Sequence, residues 1–177
     1  MSLRLRPFTK RDIPELKAWF RTEEEVLLWA GASLQYPVQD SDLKTLIKRH
    51  RGLEPVHEIW AIIDTGSLVI GHMQIWYNQR LRQATLGRVA IAPAQRGNSL
   101  ANPCLQLAKM KAFSRPWINR IELRVYDHNV VAIAAYKRAG FTYEGTRRQS
   151  TPIGDVFWNT DVMSLLRSEY VTFDKRT

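Results

Sequence analysis

Residues 88–103 read RVAIAPAQRGNSLANP. Arg88–Ala92 has the short apolar character of a buried strand. Gln95–Asn102 is a polar loop running into Pro103, a residue tolerated in a first helical turn because its missing N–H costs least there. Strand, loop and helix start in that order is how many folds hold a phosphate, on backbone N–H groups at the positive end of the helix dipole. Gly97 supplies a position where the backbone takes positive φ freely, and Ser99 and Ala101 are the next smallest side chains. Ser99 also offers a helix cap and a hydroxyl, and Arg96 a guanidinium suited to bidentate phosphate contact. The competing reading is a polar turn that merely caps a helix. Neither G-x-G-x-x-G nor G-K-[ST] occurs, so this is no dinucleotide or P-loop fingerprint.

Outward from this stretch, the first third of the chain reads as helical. Leu3, Leu5 and Pro7 alternate with arginines as a short strand. Thr9 caps a helix carrying Ile13, Leu16 and Phe20, a second helix spans Glu23–Trp29, and Ser41 begins a third. Strands follow at Glu58–Ile63 and Leu68–Tyr77, joined by the hairpin signal Asp64–Ser67, and at Ala84–Ala92. Helical spacing returns at Leu105, Ala108 and Ala112. Then come a strand at Ile118–Tyr126, a helix at Val130–Ala139 closed by Gly140, and strands at Phe141–Gln149 and Val156–Leu166. The expectation is one α/β domain over residues 1–177, with its core at about 3–166, built on a mixed sheet of six to seven strands flanked by four to five helices.

The stretch Asn129–Phe141 reads NVVAIAAYKRAGF. In a helix, Asn129, Ala132, Ile133 and Tyr136 share one face, and the small Ala132 leaves room beside Tyr136 for a ligand. The plainer reading makes Tyr136 a core aromatic and Asn129 a helix cap. The order of the strand and Q-R-G-N-S-L-A loop at Val89–Ala101, RIELRVY at Arg120–Tyr126, and N-x-x-A-x-x-x-Y-x-x-x-G-F resembles the GNAT superfamily of acetyl-CoA-dependent N-acetyltransferases over essentially Leu3 to Leu166. The resemblance implies a mostly antiparallel sheet whose two central parallel strands, Leu86–Ala92 and Ile118–Tyr126, splay to admit the pantetheine arm. It implies cofactor contacts from Val89, Ala90 and Ile91, from the loop Arg96, Gly97, Asn98, Ser99, Leu100 and Ala101, and from Asn129, Ala132 and Tyr136. Ser99 stands where the family loop R-x-x-G-x-G/A has its first glycine.

As in the family, an amine would attack the thioester directly. Backbone N–H groups near Val89–Ile91 would polarise the carbonyl, and the Tyr136 hydroxyl would protonate the leaving thiolate. Cys104, the sole cysteine, is expected to pack. Where similar proteins often carry a glutamate, this chain has Gln83, which leaves His72 or a water chain as the base. A base supplied by water suits an amine of low pKa, in a peptide or a small molecule. The stretch Trp29–Pro37 would line the acceptor site, although its aromatics also suit a core.

The net charge is +9, with 45% apolar and 24% charged residues. Such a charge favours anionic partners, but the basic residues are dispersed, with no run longer than Lys48–Arg51, so a nucleic-acid partner is not expected. No apolar run reaches membrane-spanning length, residues 1–6 lack the apolar centre of a signal peptide, and one cysteine suits the cytosol. A cytoplasmic enzyme without membrane or metal is expected, with a homodimer left open. Two alternatives remain: a non-catalytic acyl-CoA-binding regulatory module, and a ribosome- or nucleic-acid-associated binder.

Overall fold

A computed structural model describes residues 2–49 and 56–174. Its strands are β1 (Arg4–Pro7), β2 (His57–Ile63), β3 (Val69–Asn78), β4 (Gln83–Ile91), β5 (Arg120–Tyr126), β6 (Thr142–Ile153) and β7 (Val156–Leu166). They form one seven-stranded sheet in the order β1-β2-β3-β4-β5-β7-β6. Every neighbouring pair is antiparallel except β4 and β5. A parallel pair needs a crossover, and the segment between β4 and β5 supplies it as a helix. The helices are α1 (Ile13–Ala18), α2 (Glu23–Ala30), α3 (Asp40–Arg49), α4 (Ala101–Phe113), α5 (Val130–Arg138) and α6 (Arg167–Asp174).

The strands of the first half are covered on both faces, which is why they read as apolar runs instead of strict alternation. Ile59, Ala61 and Ile63 of β2 pack with Ile13 and Leu16 of α1, Trp29 of α2 and Leu43 of α3. On the opposite face, Met73, Ile75, Leu86, Ile121 and Leu123 pack with Leu105, Ala108 and Ala112 of α4. Ahead of α1, Thr9 and Asp12 close the chain: Asp12 Oδ2 accepts from the Thr9 N–H at 2.7 Å and from its hydroxyl at 2.9 Å. Arg6 grips the same carboxylate with two nitrogens, at 2.8 and 2.6 Å.

Besides boundary shifts of a residue or two, such as β5 starting at Arg120 and not Ile118, three differences from the sequence reading stand out. The first is α6, a sixth helix beyond the expected four to five. Its sequence has no clear apolar period, and it is held instead by tertiary contacts. Arg167 donates to the carbonyls of Ile118, Phe113 and Arg115, and Tyr170 stacks on Phe113 with centroids 5.0 Å apart. The second is β6, which continues to Ile153 through a bulge between Arg147 and Thr151. The third is α3, which starts at Asp40, one residue before Ser41. The basic run Lys48–Arg51 extends beyond the described residues at its last two positions.

Two features of β4 shape the centre of the molecule. Its ladder with β5 runs from Gln83↔Arg120 to Leu86↔Leu123 and stops there. Both strands continue, β4 against β3 and β5 against β7, so their facing edges splay apart. On its other side, β4 carries an extra residue opposite Met73, between the pairs His72↔Ala90 and Gln74↔Gly87. Arg88, at this bulge, has φ +48. A bulge bends the strand and re-aims side chains, and here it lies beside the splay.

Candidate active site

Two cavities open at the splay. One, of about 360 Å³, is lined by Val89, Ala90 and Ile91 of β4, by Arg96 and Ala101, and by Asn129, Ala132 and Tyr136. Eight of the expected cofactor residues therefore share one cleft. The other cavity, of about 510 Å³, lies on the far side of the same gap, against Gly87 and Arg88 of β4 and Arg124 and Tyr126 of β5. Leu28, Trp29, Val89, Asn129, Ala132 and Tyr136 line both. The two cavities meet along these residues, Tyr136 among them.

The loop before α4 is an exposed turn in which Gly97 has φ +80 and Ser99 has φ +56. Both lie in the left-handed region that favours glycine. Ser99 thus keeps a glycine conformation without being one, and it does not cap the helix: the N-cap is Leu100, with no side-chain cap bond. An uncapped 13-residue helix keeps its first N–H groups for an anion, as a phosphate site requires. Leu100 turns its side chain into the core beside Ile62, Ile70 and Cys104, so its backbone alone is left for a ligand. The exposed Arg96 is braced by its Nε donating to the Ile91 carbonyl at 3.2 Å. An apolar slot ending at a cationic loop and a bare helix start fits a long thiol ester with a pyrophosphate tail.

On α5, Asn129 Oδ1 caps the helix by accepting from the Ala132 N–H at 3.2 Å, while its amide nitrogen keeps donors for a ligand. The helix ends in two bonds, Phe141 N–H to the Tyr136 carbonyl and Gly140 N–H to that of Lys137, both 3.0 Å. With Gly140 at φ +94 this is a Schellman end, and it fixes the turn from which Tyr136 projects. Tyr136 is half-buried, edge-on to Phe141 at 6.0 Å. Burial pushes its phenol up to about 12, so the proton stays on through the neutral range. Cys104 lies deeper, and burial pushes its thiol up to about 12 as well. It packs.

His72 is placed poorly for a base. It is 1% exposed and lies on neither cavity. Its ring sits edge-on to Phe8 at 4.9 Å and Trp29 at 5.6 Å. Burial, then the nearby Arg88 charge, pulls its pKa down to about 3. Its neighbour Gln74 is fully buried and carries a polar chain: Gln74 Oε1 meets His57 Nε2 at 3.0 Å and Arg88 at 2.9 Å, and Gln74 Nε2 meets His72 Nε2 at 3.1 Å. Arg88 also donates to the Ser33 hydroxyl at 3.0 Å. Sequence reading missed this chain, although the two-residue spacing of His72, Gln74 and Trp76 put all three on one strand face. Among the described lining residues of the two cavities, Glu25 is the one carboxylate, and its Oε2 accepts from the Arg21 N–H at 2.6 Å. Of Trp29–Pro37, the residues from Trp29 to Ser33 line the larger cavity, whereas Leu34 is core. The Trp29 indole donates to the Arg88 carbonyl at 2.8 Å, pinning α2 to the bulge.

Residues 2–142 match the family model of the acetyltransferase (GNAT) domain. The chain belongs to the GNAT acetyltransferase family. Among curated proteins, the L-amino acid N-acetyltransferase AaaT of Escherichia coli (strain K12) is 31% identical over 96 residues, which is 53% of this chain and 58% of that relative's length. Among solved structures, the spermidine N-acetyltransferase of Vibrio cholerae in complex with CoA and spermine superposes with a TM-score of 0.82 at 22% identity, covering 96% of this chain and 98% of that one. A dodecameric structure of the same Vibrio cholerae enzyme gives 0.77 at 21% identity, with 97% of each chain covered. At such identities the likeness is one of fold alone. Among the described residues no helix is long and apolar enough to cross a membrane, and no group of three or more His, Cys, Asp or Glu is placed to hold a metal ion.

Proposed function

We propose that the protein is an acetyl-CoA-dependent N-acetyltransferase acting on a primary amine of a small molecule or peptide. The meeting of the two cavities at Tyr136 carries this reading, because it lets a thioester from one side and an amine from the other converge beside a single phenol. The smaller cleft takes acetyl-CoA, with the pantetheine arm along Val89–Ile91 and the pyrophosphate at Arg96–Ala101. The larger takes the amine.

The amine nitrogen forms a bond to the thioester carbonyl carbon, the carbon–sulfur bond breaks, and the surplus proton on nitrogen passes to water. Backbone N–H groups on the splayed edge of β4 polarise the carbonyl. Tyr136 presents its hydroxyl to the departing thiolate. Burial keeps the Tyr136 proton on through the neutral range, so the hydroxyl is there to donate while charge develops on sulfur. The hydroxyl therefore acts chiefly as a hydrogen-bond donor to the charge growing on sulfur, and water completes the transfer. With no imidazole on either lining, the amine must arrive neutral. That favours an α-amine, near 8 in peptides, over a lysine amine near 10.4.

Tyr136→Phe keeps the ring and removes the donor. It is expected to retain CoA affinity and stability while kcat falls about 10²-fold or more. Near-normal turnover with a lowered melting temperature would leave Tyr136 as packing alone. Failure of every amine to release free thiol, with acetyl-CoA still raising the melting temperature, would mark a binding module instead.

A further inference from the structure

The charged residues on the larger cavity are Arg88, Arg124 and Arg147, and its described lining holds no Asp or Glu. These cations enter from three strands, so no single surface run explains them. Arg124 sits 3.5 Å from Glu122 and is partly neutralised. Arg147 is exposed, pairs across to Thr160, and begins the bulge that brings Ser150 and Thr151 onto the same lining.

Arg88 is the anchored one. Gln74 and Ser33 hold its guanidinium at 2.9 and 3.0 Å, and it lies 5.6 Å from the Trp76 ring centroid. Arginine only donates, so the Gln74 atom it meets is the carbonyl oxygen, and the orientation of the buried amide follows. That oxygen can only accept, so His57 Nε2 carries a proton. The Gln74 nitrogen can only donate, so His72 Nε2 is bare. Burying two imidazoles and an amide is costly unless they are bonded together. What this chain accomplishes is to fix one cation at the floor of the acceptor cavity, and a preorganised guanidinium is a receptor for a planar anion.

Resting on the N-acetyltransferase reading, we propose that the acceptor is an amine bearing its own carboxylate near the reacting nitrogen, as in a free α-amino acid, and that Arg88 and Arg147 hold that carboxylate. Gln74 is then a positioning residue, acting through Arg88. The charge balance favours this class over a polyamine. An amino acid with its amine neutral enters as a net anion, whereas a polyamine with one amine neutral still carries positive charge into a cavity of arginines.

The test measures kcat/KM, referred to the neutral fraction of each amine at the pH used, for L-amino acids, the matching amino acid amides, ethanolamine phosphate and spermidine. The amide keeps shape and amine but lacks the anion. Amino acids are expected to exceed both amides and spermidine by tenfold or more, and Arg147→Gln to raise KM for the acids, shrinking the acid-over-amide preference about tenfold with kcat little changed. Arg88→Lys, which keeps charge but loses the fork, is expected to shrink the same preference. Spermidine or the amides acetylated as well as the acids would overturn the proposal while leaving the N-acetyltransferase reading intact. So would ethanolamine phosphate outpacing every carboxylate, or an acid preference that neither substitution changes. No turnover with any amine would overturn the earlier reading instead.

Discussion

Ser99 and Gly97 occupy the same backbone region for opposite covalent reasons, so exchanging their chemistry tests the phosphate loop directly. Ser99 sits at φ +56, where a residue with a Cβ is disfavoured by about 1–2 kcal/mol relative to glycine. Replacing it by glycine removes that strain but adds unfolded-chain freedom worth about 0.4–1 kcal/mol. The difference leaves Ser99→Gly more stable by about 0.5–1 kcal/mol, a rise of roughly 1–4 °C in melting temperature for a chain of this size. Gly97→Ala runs the other way. A Cβ there would meet no atom within 4 Å, so no clash contributes, and the loss reports φ +80 less the same unfolded-chain gain. The expected loss is about 0.5–1 kcal/mol, or a fall of about 1–4 °C. Both shifts are read by thermal denaturation without ligand, with Ser99→Ala as the control that removes the hydroxyl but keeps the Cβ. The CoA affinity of Ser99→Gly should hold or tighten. A lower melting temperature in Ser99→Gly, or an unchanged one in Gly97→Ala, would refute the conformational argument. A large loss of CoA affinity in both Ser99→Gly and Ser99→Ala would show that the hydroxyl itself binds phosphate.

Two further outcomes follow from titratable groups. With no imidazole on the described linings and Tyr136 pushed up to about 12, kcat/KM should climb with pH until the acceptor amine is neutral, with no descending limb below about pH 11; a bell with a falling arm between pH 7 and 10 would contradict this. Burial raises the Asp12 carboxyl pKa, but the bonds from Arg6 and Thr9 outweigh it and hold the pKa below its usual value. A lowered folded pKa gives stability that is present above the unfolded value, near 4, and lost as pH falls through the folded one. Asp12→Asn should therefore lower the melting temperature at pH 7 and flatten its decline below pH 4, and a variant as acid-sensitive as the parent would contradict the assignment.

The parts of the fold that were legible in the sequence are those written by period and punctuation. The apolar runs Ile59–Ile63 and Val69–Ile75, the turn Asp64–Ser67 and the stop at Gly140 set element boundaries to within a residue or two. The loop at Arg96–Ala101 was legible as a tight turn into a helix because its small residues are contiguous. The polar chain under the acceptor cavity was not, because it depends on register. His57 reaches Gln74 only because β2 and β3 pair His57 with Trp76, and no local pattern encodes that pairing. Arg147 was opaque for a related reason: a run of polar residues reads as an exposed strand end, and only the bulge against β7 turns it onto a cavity. His72 misled through its residue type alone, since a histidine near neutrality in solution becomes a poor base once packed between Phe8 and Trp29.

The two halves of the site are built from different materials, and this decides what the likeness to other proteins carries. The cofactor cleft is made largely by backbone: a ladder that stops at Leu86↔Leu123, a helix start without a side-chain cap, and two residues at positive φ. Such features depend on strand order and chain direction more than on the identity of any one side chain. The larger cavity, proposed to take the acceptor, owes its charge to side chains carried at two bulges, Arg88 on β4 and Arg147 on β6, and a bulge re-aims whatever residue it carries. Placing a carboxylate at either position would reverse the sign of the cavity without moving a strand. The superposition on a spermidine acetyltransferase therefore carries the fold, while under the proposed reading the guanidinium held by Gln74 and Ser33 bears on which acceptor is taken.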